Sequence, residues 1–488
     1  MGIRDAVRAG LLRFPALLAR LGLVDREKGT EAFDLAVPVM ATGGLRILLR
    51  ITDFLMVGLA VGDTAIAALE FGFQYYFVGF GLSLALSSGT ISVVSRLQGS
   101  GEPARADLAV KQSLWLSLAV SLPLTALAWA YAGPLLDVLT DDPRTIGLGA
   151  AYLQIVMLSL AFRFWSMIAA RALAGSADTR TPMYVRLLTL PTNIVLNAIF
   201  IFGLGPAPRL GVVGAAWGMA AANTLAAVVF FALLVSGRYA VRLPLRGPHL
   251  DLPLCREIVR VGLPLAGMRL LQTFGRFPFL FLLGVLGIPV VAAYAIGRRV
   301  MLLALMPAWG YATAASTLVG QSVGAGEDDD ATAYGWQTMR IALVTQLLFG
   351  AVLVGLARPI ALSFGTAYPD LAVQFIRVFG VVVAGFSVSR TMRGSLRGAG
   401  DTRWPLYGTF AGSYLVRLPV AALALPTGYV VSVAGLSVAP GLNWGLPAVF
   451  VALIADFYLK AAVNTARFWT GKWQGIARRA DVGASADD

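Results

Sequence analysis

Residues Leu173 to Tyr184 read LAGSADTRTPMY, and residues Leu396 to Tyr407 read LRGAGDTRWPLY. The second copy holds Gly-Ala-Gly-Asp-Thr-Arg-x-Pro from Gly398 to Pro405, and the first is looser from Gly175 to Pro182, with Ala177 where the other has a glycine. Gly175 and Gly398 stand 223 residues apart. Upstream, Pro38 matches Pro264 and Arg50 matches Arg276, both 226 apart, while Gly99, Gly101 and Glu102 match Gly324, Gly326 and Glu327 at 225. Three anchors at nearly one offset mark a duplicated chain. Around the anchors run apolar segments of roughly 20 residues or more, the length that crosses bilayer hydrocarbon. They fall roughly at 34–58, 64–95, 109–132, 146–173, 181–204 and 211–236, and again at 257–285, 288–321, 332–356, 369–396, 404–426 and 443–469.

The expected fold is therefore all-α and membrane-embedded, with twelve transmembrane helices in two six-helix lobes. Six spans separate equivalent points, an even number, so both lobes share one orientation and are related by an axis along the membrane normal. The expected division is a cytoplasmic amphipathic segment over residues 1–33, an N-lobe at 34–236, a cytoplasmic linker at 237–256, a C-lobe at 257–470 and a cytoplasmic tail at 471–488. The linker carries Arg242, Pro244, Arg246, Pro248 and Pro253, the one long polar interruption between apolar blocks.

Composition agrees. Of 488 residues, 58% are hydrophobic and only 13% charged, more apolar surface than a water-soluble fold uses. Unbroken apolar runs such as 225–235 exclude a transmembrane barrel, whose strands alternate polar and apolar residues. The net charge of +13 raises nucleic-acid binding, but the basic residues sit mostly in loops. With the N-terminus cytoplasmic, most of them fall on the cytoplasmic side and only Arg144, Arg209 and Arg358 fall in outer loops, so the positive-inside rule accounts for them. Both termini are then cytoplasmic and the protein is a multi-pass protein of the cell membrane. One cysteine, Cys255, rules out an internal disulfide, and one histidine, His249, rules out a His-rich metal site. No cluster with catalytic or cofactor spacing stands out, so neither an enzyme nor a cofactor is expected.

The doubled loop resembles the one that multidrug and toxic compound extrusion (MATE) transporters carry between the fourth and fifth helices of each half. The resemblance continues through Pro38, the run Thr52 to Gly58, Asn193, Asn197, Gly203 and Leu210 to Ala216, and covers roughly residues 34–470. It implies an ion-coupled antiporter that exports small organic molecules by alternating access without ATP. The partners implied are a small organic substrate, a proton or sodium ion and the bilayer, with a monomer expected. A lipid or lipid-linked-precursor flippase of the same superfamily is the alternative. The loop motif also has a plain reading, in which Gly and Asp cap helices, Arg meets headgroups and Pro opens the next span.

Ionisable side chains inside a span cost roughly 2.5 to 3.5 kcal/mol on insertion scales, so each asks for a partner or a task. By resemblance, Asp53 occupies the family's coupling position in the first span, where a carboxylate facing a cavity takes up and releases a proton. Alternatively it neutralises Arg50, three residues before it on the same helical face. Its repeat counterpart is Phe279, so such an acid exists in the first lobe only. Asn193 and Asn197, one turn apart, complete the ion-coupling candidates. Family members proposed to bind an ion there have an acid at the second position and a threonine where Met219 aligns, so a weak sodium site at Asp53, Asn193 and Asn197 is the most these residues offer, and polar glue between helices is the alternative. Arginines outnumber acids within the spans. Arg46, Arg50 and Arg276 lie well inside the first and seventh, and an excess of guanidinium beside a cleft favours anionic or zwitterionic substrates. Gln74 and Arg299 occupy equivalent places in spans two and eight, with Tyr294 nearby. These three are substrate-binding candidates or ordinary packing residues.

Overall fold

The computed structural model describes residues 13–61, 63–137, 142–247, 250–433 and 436–476, with side chains described at all of these except 46–55, 57–67, 70, 74, 288 and 431–437. The chain is helical nearly throughout, because hydrocarbon offers no water to backbone N–H and C=O groups and a helix satisfies them internally. A short amphipathic helix α1 (Arg13–Arg20) comes first. The first six spans are α2 (Arg26–Val61), α3 (Asp63–Gly99), α4 (Pro103–Asp137), the bent pair α5 (Pro143–Leu158) and α6 (Leu160–Gly175), α7 (Arg180–Phe202) and α8 (Val212–Val235). The second six begin with α9 (Leu252–Phe274) and α10 (Arg276–Val285), then α11 (Ile288–Ala304) and α12 (Met306–Gly324), α13 (Asp328–Gly355) and α14 (Ala357–Ser363), and α15 (Pro369–Gly398). The eleventh span is α16 (Arg403–Phe410), a π-helical turn (Ala411–Arg417) and α17 (Leu418–Ala422), and the twelfth is α18 (Leu446–Trp469). A two-stranded hairpin, β1 (Val431–Val433) antiparallel to β2 (Leu436–Val438), lies in the loop between the last two.

Among the described residues, seven helices are long and apolar enough to cross a membrane, and nine if α5 with α6 and α11 with α12, each bent by 45°, count as single spans. The other three expected spans carry interruptions. α2 contains Arg46, Arg50 and Asp53, α9 and α10 part at Gly275, and the eleventh is divided by the π-helical turn.

Side-chain placement matches lipid rather than water. On α4, Ser113, Ser117 and Ser121 are buried, while Trp115, Leu122 and Trp129 are about half exposed. A water-soluble helix would reverse that arrangement.

Chain contacts divide the protein into two compact units. One comprises residues up to Met40, Gly267–Val323 and everything from Glu327 onward, and the other comprises Ala41–Ala266 with Gly324–Gly326. The second unit is built on Leu153, Val156, Leu160, Phe164, Ile168 and Phe230. The first packs Phe279, Phe375, Phe379 and Val449 in one cluster and Leu396, Phe468 and Trp473 in another.

The repeated loop has a physical account in both units. A Cβ at Gly175 would stand 3.1 Å from the Ile91 carbonyl oxygen, and one at Gly398 would stand 2.5 Å from that of Ser316, so each glycine lets two helix backbones approach. Asp178 Oδ1 accepts from the backbone N–H groups of Arg180 and Thr181 at 3.1 and 2.9 Å, capping α7. The left-handed position two residues after the first glycine is Gly400 (φ +84°) in one copy and Ala177 (φ +65°) in the other.

Candidate functional site

In the second unit, α7 presents Asn193 and Asn197 on one buried face, as their four-residue spacing requires. Asn197 Nδ2 donates to Asn193 Oδ1 at 3.4 Å. Asn197 fits because α8 has a glycine opposite. A Cβ at Gly218 would fall 1.9 Å from Asn197 Oδ1, so any larger residue would displace the amide. Met219 is partly buried and packs against the core, with its sulfur 3.9 Å from the Tyr152 hydroxyl. At the break between α5 and α6, Asn223 Nδ2 donates to Ser159 Oγ at 3.1 Å. Asp53, Arg46 and Arg50 lie on α2 and Gln74 on α3, but their side chains fall outside the described residues, as does all of His249.

In the first unit, Arg276 opens α10 and is exposed, and it interacts with Arg298 and Tyr294 on α11. Arg299 is also exposed. Tyr294 is buried in an aromatic cluster, with ring centroids 5.5 Å from Phe279, 5.9 Å from Phe375 and 5.8 Å from Phe379.

Arginines also act on one another elsewhere in this unit, Arg269 on Arg393. Arg390 stacks over Trp309 at 3.8 Å, and Arg269 lies 5.8 Å from the same ring. Arg393 donates to the Met268 sulfur at 3.1 Å. These contacts place guanidinium groups against ring faces and sulfur.

A buried charged group lies where the eleventh and twelfth spans meet. Asp456 on α18 is fully buried. Its Oδ1 lies 2.5 Å from Lys460 Nζ and its Oδ2 accepts from Arg417 at 3.3 Å. Lys460 also donates to Ser413 Oγ at 2.9 Å, and Arg417 donates to the Gly275 carbonyl at 3.0 Å while covering the Phe279 ring at 5.1 Å. Gly412 makes room for the carboxylate, since a Cβ there would stand 2.6 Å from Asp456 Oδ1. None of these three residues stands among the sequence-derived candidates. The available signal was Asp456 and Lys460 one helical turn apart in an apolar run.

A second ion pair ties the repeated loop to the last span. Arg467 Nε donates to Asp401 Oδ2 at 2.6 Å and lies over the Trp404 ring. Burial raises the Asp401 carboxyl above the usual range, and the Arg467 bond works against that rise. A groove of about 570 Å³ between α13 and α18, lined by Trp336, Arg340, Thr465 and Trp469 among others, contains none of the candidate residues.

Comparison with known proteins adds a family. The model for the family described as MatE matches residues 38–199 and 264–423. A probable multidrug resistance protein NorM of Thermotoga maritima is 27% identical over 454 residues, covering 91% of this chain and 93% of its own. An FAD transporter of Shewanella oneidensis is 24% identical over 311 residues, 63% of this chain and 68% of its own. A crystal structure of MATE in the bent conformation superposes with a TM-score of 0.83 at 20% identity, covering 93% of this chain and 97% of that one.

Proposed function

The chain belongs to the MatE family, and on that premise we propose that it is an ion-coupled antiporter of the cell membrane that exports small organic molecules by alternating access, with both termini in the cytoplasm. The family match over both halves of the chain carries this reading, and the relative named as a multidrug resistance protein along nearly its whole length supports it. Protons are the coupling ion. Asn197 stands where an acid would complete a sodium site, and Met219 offers a thioether where a hydroxyl would serve, so the second unit lacks both a charge and an oxygen for a hard cation. Asp53 carries the proton, and Asn193 and Asn197 are polar groups of the same lobe that serve the coupling site.

The substrates are anionic or zwitterionic. Arg46, Arg50 and Arg276 in the first and seventh spans outnumber Asp53, and the exposed Arg299 and partly buried Arg298 add to the imbalance. Each substrate carboxylate or phosphate gains roughly 1.5 to 3 kcal/mol from a charge-assisted hydrogen bond to such a group. The relative named an FAD transporter fits this reading, because FAD carries a pyrophosphate. The test compares export of carboxyfluorescein and ethidium, an anionic and a cationic dye, by wild-type protein and by Arg46→Gln and Arg276→Gln. Faster anion export that both variants weaken is expected. A wild-type preference for ethidium that neither variant alters would make the arginines structural.

A further inference from the structure

We propose that Lys460 is a second proton-carrying group, releasing and recovering a proton within the Arg417–Asp456–Lys460 cluster during each transport cycle. This deepens the proton-coupled reading above and rests on it. The cluster holds two cations against one carboxylate, with Asp456 fully buried and Lys460 and Arg417 side chains only 10% and 13% exposed. A third cation, Arg393 on α15, also acts on Lys460. Among the described residues, the charged groups that act on this amine are Asp456 on its own helix, Arg417 from the π-helical turn and Arg393 on α15.

Surplus positive charge in a low-dielectric interior is costly, and only one of these groups can remove it. A guanidinium keeps its proton throughout the biological range, so neither arginine can relieve the excess. Lys460 can. Its proton passes to water at the exposed edge of the side chain, the bonding electrons stay on Nζ as a lone pair, and the charge of Arg417, Asp456 and Lys460 together falls from plus one to zero. The Asp456 carboxylate opposes the step and draws the proton back, while the Ser413 hydroxyl can be served by either form of the amine. Among the described residues the amine donates to Ser413 Oγ at 2.9 Å and lies 2.5 Å from Asp456 Oδ1 as an ion pair, and a neutral amine still has an N–H group for the hydroxyl. The third N–H of the ammonium is the one released. The Phe457 ring, 5.4 Å from Nζ, favours the ammonium form and gives the proton a reason to return.

The packing on the Gly412 side leaves no room for a larger ligand. With a Cβ at Gly412 calculated at 2.6 Å from Asp456 Oδ1 and 2.9 Å from Lys460 Cε, the site cannot admit even a methyl group on that side. The amine also faces a π-helical turn, a distortion that recurs at functional sites because its hydrogen-bond register can shift. The repeat makes the cluster specific to one half. Gly211 and Gly445 open α8 and α18 with the same unusual backbone, φ +55° and +60°. Counting from them places Ala222 opposite Asp456 and Ala226 opposite Lys460. The half containing Asp53 therefore has no counterpart of this cluster, just as Phe279 stands opposite Asp53.

The chain has four lysines, Lys28, Lys111, Lys460 and Lys472, so lysine labelled with nitrogen-15 at Nζ gives a resolvable set of resonances. One resonance, absent from Lys460→Arg, is expected to pass reversibly between ammonium and amine within the pH range over which export operates. Lys460→Arg keeps the charge and the ion pair and so should fold, yet it cannot release a proton. It is expected to lose at least about tenfold of the carboxyfluorescein export driven by an imposed pH gradient. A Lys460 resonance that stays ammonium across that range overturns the proposal, as does a Lys460→Arg variant that exports with the wild-type pH profile. Failure of the underlying proton reading looks different, because wild-type export would then ignore a pH gradient altogether.

Discussion

Replacing Asp456 with asparagine removes the only acid from a site that holds two cations. Asp456 is fully buried and contacts Lys460 at 2.5 Å and Arg417 at 3.3 Å, so Asp456→Asn strands the guanidinium, and the ammonium whenever Lys460 holds its proton, beside a neutral amide. Breaking a buried ion pair by removing one partner costs about 3 to 5 kcal/mol, because the remaining charge is desolvated without compensation. Thermal unfolding followed by tryptophan fluorescence in detergent should show Tm falling by about 6 °C or more, taking roughly 2 °C per kcal/mol for a large domain. Replacing all three groups, as Arg417→Met, Asp456→Leu and Lys460→Met together, removes the stranded charge and should return Tm to near the wild-type value or above it. The reasoning fails if Asp456→Asn unfolds within about 1 °C of wild type, or if the triple variant is no more stable than the single one.

Ala177 sits at φ +65° where the other copy of the loop has Gly400, so Ala177→Gly should raise stability by about 1 kcal/mol, visible as a higher Tm, and a fall would refute strain at that turn. Burial gives Asp401 a higher proton affinity folded than unfolded, so its contribution is greatest at low pH and is lost as pH rises from the unfolded carboxyl value of about 3.9 through the raised folded one. Asp401→Asn should flatten that part of the stability curve, and an unchanged slope assigns it to other groups. Topology is tested in a Cys255→Ser background with an impermeant thiol reagent applied to intact cells. Arg209→Cys should react, whereas Ser100→Cys and Arg403→Cys should not; the opposite pattern would invert the assignment of sides.

The spans and the duplicated loop were legible because hydrocarbon imposes a length on apolar runs and because the loop's residues have local tasks. Asp178 caps the helix that follows it, and Gly175 and Gly398 admit a neighbouring backbone, all short-range constraints that leave a sequence signature. Span boundaries were less legible. α2 runs from Arg26, eight residues before the apolar run begins, because its polar first turns are anchored by side chains rather than lipid. Lys28 there pairs with Asp330, and Tyr334 donates to Glu31 at 2.5 Å. The π-helical turn at Ala411–Arg417 left no sequence mark, since its residues suit an α-helix equally well. The Asp456 cluster was only half visible. Arg417 lies 39 residues before Asp456, and whether two helices turn those faces toward each other depends on packing that no periodicity reports. Tyr294 shows the same limit, because its burial comes from Phe279, Phe375 and Phe379 on other helices.

The central claim, proton-coupled export, is tested most directly in proteoliposomes loaded with carboxyfluorescein, with pH and sodium gradients imposed separately on wild-type protein and Asp53→Asn. The account predicts uphill export driven by the pH gradient alone and abolished in Asp53→Asn, while the variant still binds the dye. Export that follows the sodium gradient, or that proceeds unchanged in Asp53→Asn, would contradict it.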